Sequence, residues 1–147
     1  MDILIRAEQI RQRVAELAEQ IGNDYRTRRP VTIVGVLTGS VIFLADLVRH
    51  LDMPLRIGLI QASSYRRAVT QPSELHVDPQ TLPDVRGRHV LLLDDILDTG
   101  QTLSRLMRDI NGLGCASLRV GVLLRKRGRQ QLLLEESGQV FQLFECV

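Results

Sequence analysis

The run VLLLDDILDTGQTL, residues 90–103, sets the reading of the whole chain. Four apolar residues lead straight into two adjacent carboxylates, Asp94 and Asp95, and a third acid, Asp98, follows three positions on. Thr99, Gly100 and Thr102 come next, and there an amphipathic run begins. An apolar stretch that stops at acids and small hydroxylated residues reads as a buried strand, a turn and a helix start.

Working outward, VTIVGVL (31–37) is β-branched and nearly all apolar, the pattern of a strand covered on both faces. Thr38-Gly39-Ser40 is a turn with Ser40 placed as a helix N-cap, and VIFLADLVRHL (41–51) reads as a buried helix. Upstream, Ala7, Ile10, Val14, Leu17 and Ile21 recur at spacings of three and four, predicting a helix over 5–24 that Asp2 either caps or precedes. LRIGLIQASSY (55–65) is the next strand. Prolines 72, 79 and 83 and sparse apolar content make 66–84 a long mobile loop. HVLLL (89–93) is a central strand, TLSRLMRDINGL (102–113) a helix and SLRVGVLL (117–124) a strand. Strands alternating with helices predict an α/β domain over 1–147: an open, mainly parallel twisted sheet flanked by helices, Rossmann-like. Such sheets bind ligands outside the carboxyl ends of their strands, where residues 94–98 fall.

Composition excludes several classes. With 44% hydrophobic and 24% charged residues the chain packs a core rather than staying disordered, and with 3% aromatics that core is built of Leu, Val, Ile and Ala. A net charge of +2 permits an anionic ligand without announcing nucleic acid. Cys115 and Cys146 lack the paired spacing of a zinc site or disulfide framework. His50, His76 and His89 are isolated and read as surface or strand-edge residues. No apolar run is long enough to span a membrane and no signal-peptide pattern opens the chain, so a cytoplasmic location is expected.

Taken alone, Asp-x-x-Thr-Gly would be a solvated turn capping a helix. Three clustered carboxylates at a strand end, however, repel one another and cost stability without a partner. Gly100 lets the backbone approach a ligand, and exposed N–H groups with two hydroxyls make a phosphate cradle. GxxxxGK[ST] is absent, so the cradle suits a monophosphate rather than a triphosphate tail. The vicinal acids suit a diol, as an acid does for ribose in dinucleotide sites. The ligand class is a sugar phosphate with free hydroxyls, accompanied by Mg²⁺.

VLLLDDILDTGQTL resembles the phosphoribosyl-pyrophosphate (PRPP) motif of type I phosphoribosyltransferases. VGVLTGSVIFLADLVRHL (34–51), ASSY (62–65) and VGVLLRKR (120–127) resemble the pyrophosphate loop, lid start and purine-contacting strand of the hypoxanthine-guanine members. The resemblance implies purine salvage: hypoxanthine or guanine plus PRPP giving IMP or GMP plus pyrophosphate, with Mg²⁺. It implies that Asp94 and Asp95 hold the ribose hydroxyls, either of them also available to Mg²⁺. Asp98 would be the general acid/base. Asp98, Thr99, Gly100, Gln101 and Thr102 would hold the 5′-phosphate, and Thr38, Gly39 and Ser40 the pyrophosphate. Ser64 and Tyr65 would close as a lid, and Lys126 would bind the purine. A homo-oligomer, dimer or tetramer, is also implied.

The chain departs from the resemblance at Thr38, where many relatives have Lys, at Gln101, where a basic residue is common, and at Arg66 and Arg67 after the lid Ser-Tyr. Residues 130–147 do not match the aromatic and acid that follow the lysine in relatives, which predicts an atypical or truncated C-terminal segment and an impaired purine site. The alternative function is a PRPP-motif regulator similar to pyrimidine-operon attenuators, which bind RNA. Those usually have Tyr at the position of Asp98, so the acid favours the enzyme and nucleic acid is not the expected partner.

Overall fold

The computed structural model describes residues 4–61, 81–97, 100–126 and 140–146. In chain order the elements are helix α1 (Ala7–Asp24), strand β1 (Val31–Leu37), helix α2 (Val41–Arg49), strand β2 (Leu55–Gln61), strand β3 (His89–Leu97), helix α3 (Gln101–Asn111), strand β4 (Ser117–Lys126) and strand β5 (Val140–Cys146). The strands form one sheet in the order β2-β1-β3-β4-β5. Every neighbouring pair is parallel.

Period-two alternation assigns the two faces. On one side, Val31 and Ile33 of β1, Leu91 and Leu93 of β3 and Phe141 and Leu143 of β5 pack with Val14, Leu17 and Ile21 of α1 and Phe43, Leu44 and Leu47 of α2. On the other, Val34, Val36, Val90, Leu92, Val120 and Val122 meet Leu103, Leu106, Met107 and Ile110 of α3. Both faces are covered, so the strands read as continuous apolar runs. Each fully buried Leu or Ile contributes about 1.5–3 kcal/mol.

Several expectations are corrected. Helix α1 starts at Ala7 rather than residue 5, because the Arg6 N–H donates to Gln9 Oε1 at 2.8 Å and closes the first turn there. Asp2, expected near that start, lies outside the described residues. Helix α2 ends at Arg49 and is buried on one face only: Val41 and Ile42 are exposed. Ser40 occupies the N-cap position, but its hydroxyl donates to the Val36 carbonyl at 2.7 Å instead of capping. Strand β2 is described to Gln61, with the rest of the predicted strand outside the described residues. The predicted loop 66–84 gives way to anchored chain by Thr81. The Leu59 N–H donates to the Thr81 carbonyl at 2.7 Å, and Leu82 is buried in the core. Residues 66–80 lie outside the described residues.

The largest correction positions the site. Strand β3 does not stop at Leu93; it runs to Leu97, so Asp94 and Asp95 lie inside it. The extension follows β4, with Asp94 opposite Val122 and Leu97 opposite Arg125. Pairing with β1 ends earlier, at Gly35 opposite Leu93, while β1 stays with β2 to Leu37 opposite Gln61. The sheet therefore opens between β1 and β3 at their carboxyl ends. That is also where the strand order reverses, the usual binding crevice of such sheets.

The tail adds β5 to the sheet edge, its Glu145 opposite Arg125 and its Cys146 opposite Lys126. Phe141 is buried in the core, with the Arg119 guanidinium 5.9 Å from its ring centroid and 5.7 Å from that of Tyr25. Arg119 also reaches Asp24 Oδ2 at 3.4 Å, which ties the end of α1 to the sheet. Burial pushes the Tyr25 phenol up to about 12, and the nearby Arg119 charge offsets part of that rise.

Candidate active site

Two segments far apart in sequence converge in the crevice. After β1 the chain turns through exposed Thr38 and Gly39 to buried Ser40, and the Leu37–Thr38 peptide bond is cis. Ser40 holds this turn through its N–H and hydroxyl, both bonded to the Val36 carbonyl, at 3.2 and 2.7 Å. Gly39 lies directly against Asp95. A Cβ built on it would stand 2.4 Å from Asp95 Oδ2, 2.7 Å from Cγ and 3.0 Å from Oδ1. No side chain fits there while that carboxylate keeps its place.

The two acids are held by local backbone. The Asp95 N–H donates to Asp94 Oδ1, and the Ile96 N–H to Asp95 Oδ1, both at 2.8 Å. Burial pushes the Asp94 carboxyl up to about 7, with the Asp95 side chain and its charge adding to the rise and the Asp95 N–H partly offsetting it. Asp94 is thus a half-buried acid without a cation beside it among the described contacts. A hydrogen-bonding or cationic ligand would relieve that cost.

This has a measurable consequence. Asp94 keeps its proton to a higher pH in the folded chain than in the unfolded chain, where its ordinary value is 3.8. Its contribution to stability is therefore fullest below about pH 4 and is lost as pH rises through about 7. Asp94→Asn is expected to be more stable than the parent above pH 7, by about 1–2 kcal/mol once screening of this partly exposed group is allowed for. The difference should shrink toward pH 4. Denaturant midpoints of both proteins across that range check this.

Beyond the acids, Gly100 takes φ +81° and occupies the N-cap position of α3. The Ser104 N–H donates to its carbonyl at 2.8 Å, and Gln101 and Thr102 are exposed in the first turn. The first N–H groups of a helix lack intrahelical partners and point out of its start, where an anion can be held. Gly100→Val is expected to lower unfolding free energy by about 1–2 kcal/mol, since a left-handed β-branched residue is strained. Gly100→Asn should fall nearer the parent, because Asn tolerates that conformation. Thermal unfolding distinguishes the two variants.

Of the residues picked out from sequence, Asp94, Asp95, Thr38, Gly39, Ser40, Gly100, Gln101 and Thr102 all lie at the carboxyl end of β1 and β3. Lys126 ends the neighbouring strand at the same edge, half-buried. Asp98, Thr99, Ser64 and Tyr65 lie outside the described residues. The contact of Gly39 with Asp95 was not anticipated. Its only trace in sequence is that the turn after β1 carries the one residue lacking a Cβ.

A parallel sheet covered on both faces, with paired acids, a close-approach glycine and a helix start at its switch point, matches the type I phosphoribosyltransferase fold. The chain belongs to the phosphoribosyl transferase domain family, whose profile matches residues 2–145. It is 40% identical over 129 residues to the hypoxanthine-guanine phosphoribosyltransferase of Mycobacterium bovis, covering 84% of this chain and 64% of that protein. It is 34% identical over 134 residues to the hypoxanthine phosphoribosyltransferase of Haemophilus influenzae, covering 90% of this chain and 75% of that one. Its structure resembles that of the hypoxanthine phosphoribosyltransferase of Trypanosoma cruzi with a TM-score of 0.82 at 32% identity, over 99% of this chain and 82% of the other. The chain thus spans somewhat under two thirds of the length of the Mycobacterium relative. Among the described residues no helix is long and apolar enough to cross a membrane.

Proposed function

We propose that the protein transfers the phosphoribosyl group of PRPP to a 6-oxopurine, forming IMP or GMP and pyrophosphate. The observation that supports this most is the contact of Gly39 with Asp95. It sets a turn suited to the leaving pyrophosphate against acids suited to the ribose diol, on either side of the bond that must break. In this reading Asp94 and Asp95 accept hydrogen bonds from the ribose 2′ and 3′ hydroxyls. Gly100, Gln101 and Thr102, with Asp98 and Thr99, surround the 5′-phosphate. Thr38 and Gly39 face the pyrophosphate, and Ser40 keeps their turn in place. Lys126 donates to the purine exocyclic oxygen, and Asp98 exchanges the proton at purine N7. Ser64 and Tyr65 exclude the water that would capture the sugar cation.

Mg²⁺ fits the donor set. Carboxylate oxygens are the ligands it prefers. Among the described residues no group of three or more His, Cys, Asp or Glu gathers to hold a metal by itself. Asp94 and Asp95 would share it with the substrate, and it would supply positive charge against the leaving pyrophosphate. The acids, fixed by the Asp95 and Ile96 N–H groups, also favour the positive charge that develops on the ribose.

Phe141 is buried in the core and Phe144 is half-buried against the same cluster. The direct experiment measures nucleotide formation from hypoxanthine, guanine and xanthine with PRPP and Mg²⁺, alongside PRPP binding by calorimetry. Mg²⁺-dependent PRPP binding with nucleotide formation from hypoxanthine or guanine is the expected result. Absence of both overturns the proposal.

A further inference from the structure

We propose that the protein carries a second anion site at the amino end of the sheet, formed by Arg29, Arg56 and Arg88 and suited to a phosphate or diphosphate group. The three arginines come from separate places in the sequence and meet because their strands are neighbours. Arg29 precedes β1, Arg56 is the second residue of β2, and Arg88 immediately precedes β3. The register sets Val31 opposite both Leu55 and His89, which brings the three together. With Pro30, Pro54 and Leu55 they line a cavity of about 520 Å³. At about 3.3 Å per residue along seven-residue β1, this lies roughly 20 Å from the acidic crevice.

The chemistry of the lining points to an anion. Among the described residues Arg88 is anchored by neutral groups: its Nε donates to Thr32 Oγ1 at 2.7 Å and one terminal nitrogen to the Val31 carbonyl at 2.8 Å. Thr32 is fully buried, so this guanidinium is fixed in place. Burial, and then the like charge of Arg56, hold Arg88 below its usual range. The repulsion is not offset among the described residues of the lining, which include no carboxylate. Asp84 feels the charge of Arg56, but it lies outside the lining and is forked by Arg86 at 2.7–3.0 Å. A preset guanidinium flanked by two exposed arginines matches the bidentate geometry by which Arg recognises phosphate oxygens.

The source of the phosphate is either an inorganic anion or a nucleotide, and the test separates them. Amide ¹H–¹⁵N spectra of the full chain, without divalent metal, are titrated with inorganic pyrophosphate and in parallel with guanosine diphosphate. Saturable shifts are expected at the amides of Arg29, Leu55, Arg56 and Arg88. In the Arg29→Ala/Arg56→Ala double variant, whose side chains are exposed and outside the core, affinity read at Leu55 and Arg88 should fall at least about tenfold. Tighter binding of guanosine diphosphate would assign the site to a nucleotide. Equal binding would assign it to the phosphate groups alone. Absence of saturable shifts at these amides at millimolar ligand overturns the proposal, as do shifts unchanged in the double variant. Shifts at Gly39, Gln101 and Thr102 report the opposite end of the sheet separately, so failure here leaves the PRPP reading standing.

Discussion

Gly39→Ala is expected to weaken PRPP binding by roughly ten- to a hundredfold while leaving the fold intact. The new Cβ would fall 2.4 Å from Asp95 Oδ2, well inside contact distance. Asp95 cannot simply rotate away at no cost, because its Oδ1 accepts the Ile96 N–H at 2.8 Å. Either that bond breaks or the turn after β1 moves outward, and both separate the leaving-group turn from the ribose acids. Hydrogen bonds to a charged group contribute about 1.5–3 kcal/mol each, and about 1.4 kcal/mol corresponds to tenfold in affinity. Calorimetry with Mg²⁺ measures the loss. Gly22→Ala is the matched control. A Cβ at Gly22 meets nothing within 4 Å and the residue sits inside α1, so the change should raise stability by about 0.5–1 kcal/mol and leave binding untouched. Equal PRPP affinity in the Gly39 variant and the parent would mean that the crevice is not the PRPP site.

Asp98→Asn carries the largest expected effect on turnover. If Asp98 exchanges the purine N7 proton, the amide is nearly the same shape as the acid and loses the titrating group. A general acid–base contribution is worth roughly 10²–10⁴-fold, so kcat should fall by that factor with PRPP affinity little changed. The limb of the pH–rate profile belonging to this carboxyl should vanish as well. Parent-like turnover would remove Asp98 from the chemistry. A large loss of PRPP affinity would reassign it to holding the sugar phosphate. Together the two variants divide the site, since Gly39→Ala strikes binding of the leaving group and sugar while Asp98→Asn strikes proton transfer.

The parts of this protein that follow from local pattern were legible in the sequence. VTIVGVL is β1 residue for residue, and the spacing of Val14, Leu17 and Ile21 marks the buried face of α1. The strand–helix alternation implied the parallel α/β sheet, and the acids followed by Thr-Gly-x-Thr marked a candidate site at a strand end. These features are legible because side-chain periodicity, turn chemistry and helix-start chemistry act over a few residues.

Only the tertiary structure decided what depends on register. Local hydrophobicity ended β3 at Leu93, but hydrogen bonding to β4 carries it to Leu97 and takes the acids into the strand. Ser40 has the composition of a cap, yet it is fully buried and bonds back to Val36. The tail looked foreign to the pattern, and its VFQLFEC becomes β5 because β4 offers an open edge. The contact of Gly39 with Asp95 and the meeting of Arg29, Arg56 and Arg88 at opposite ends of the same strands were invisible for one physical reason. Each joins residues distant in the chain, and which of them meet is set by strand order and stagger. Those are selected by the packing of both sheet faces at once, a property of the whole core that no short window of sequence contains.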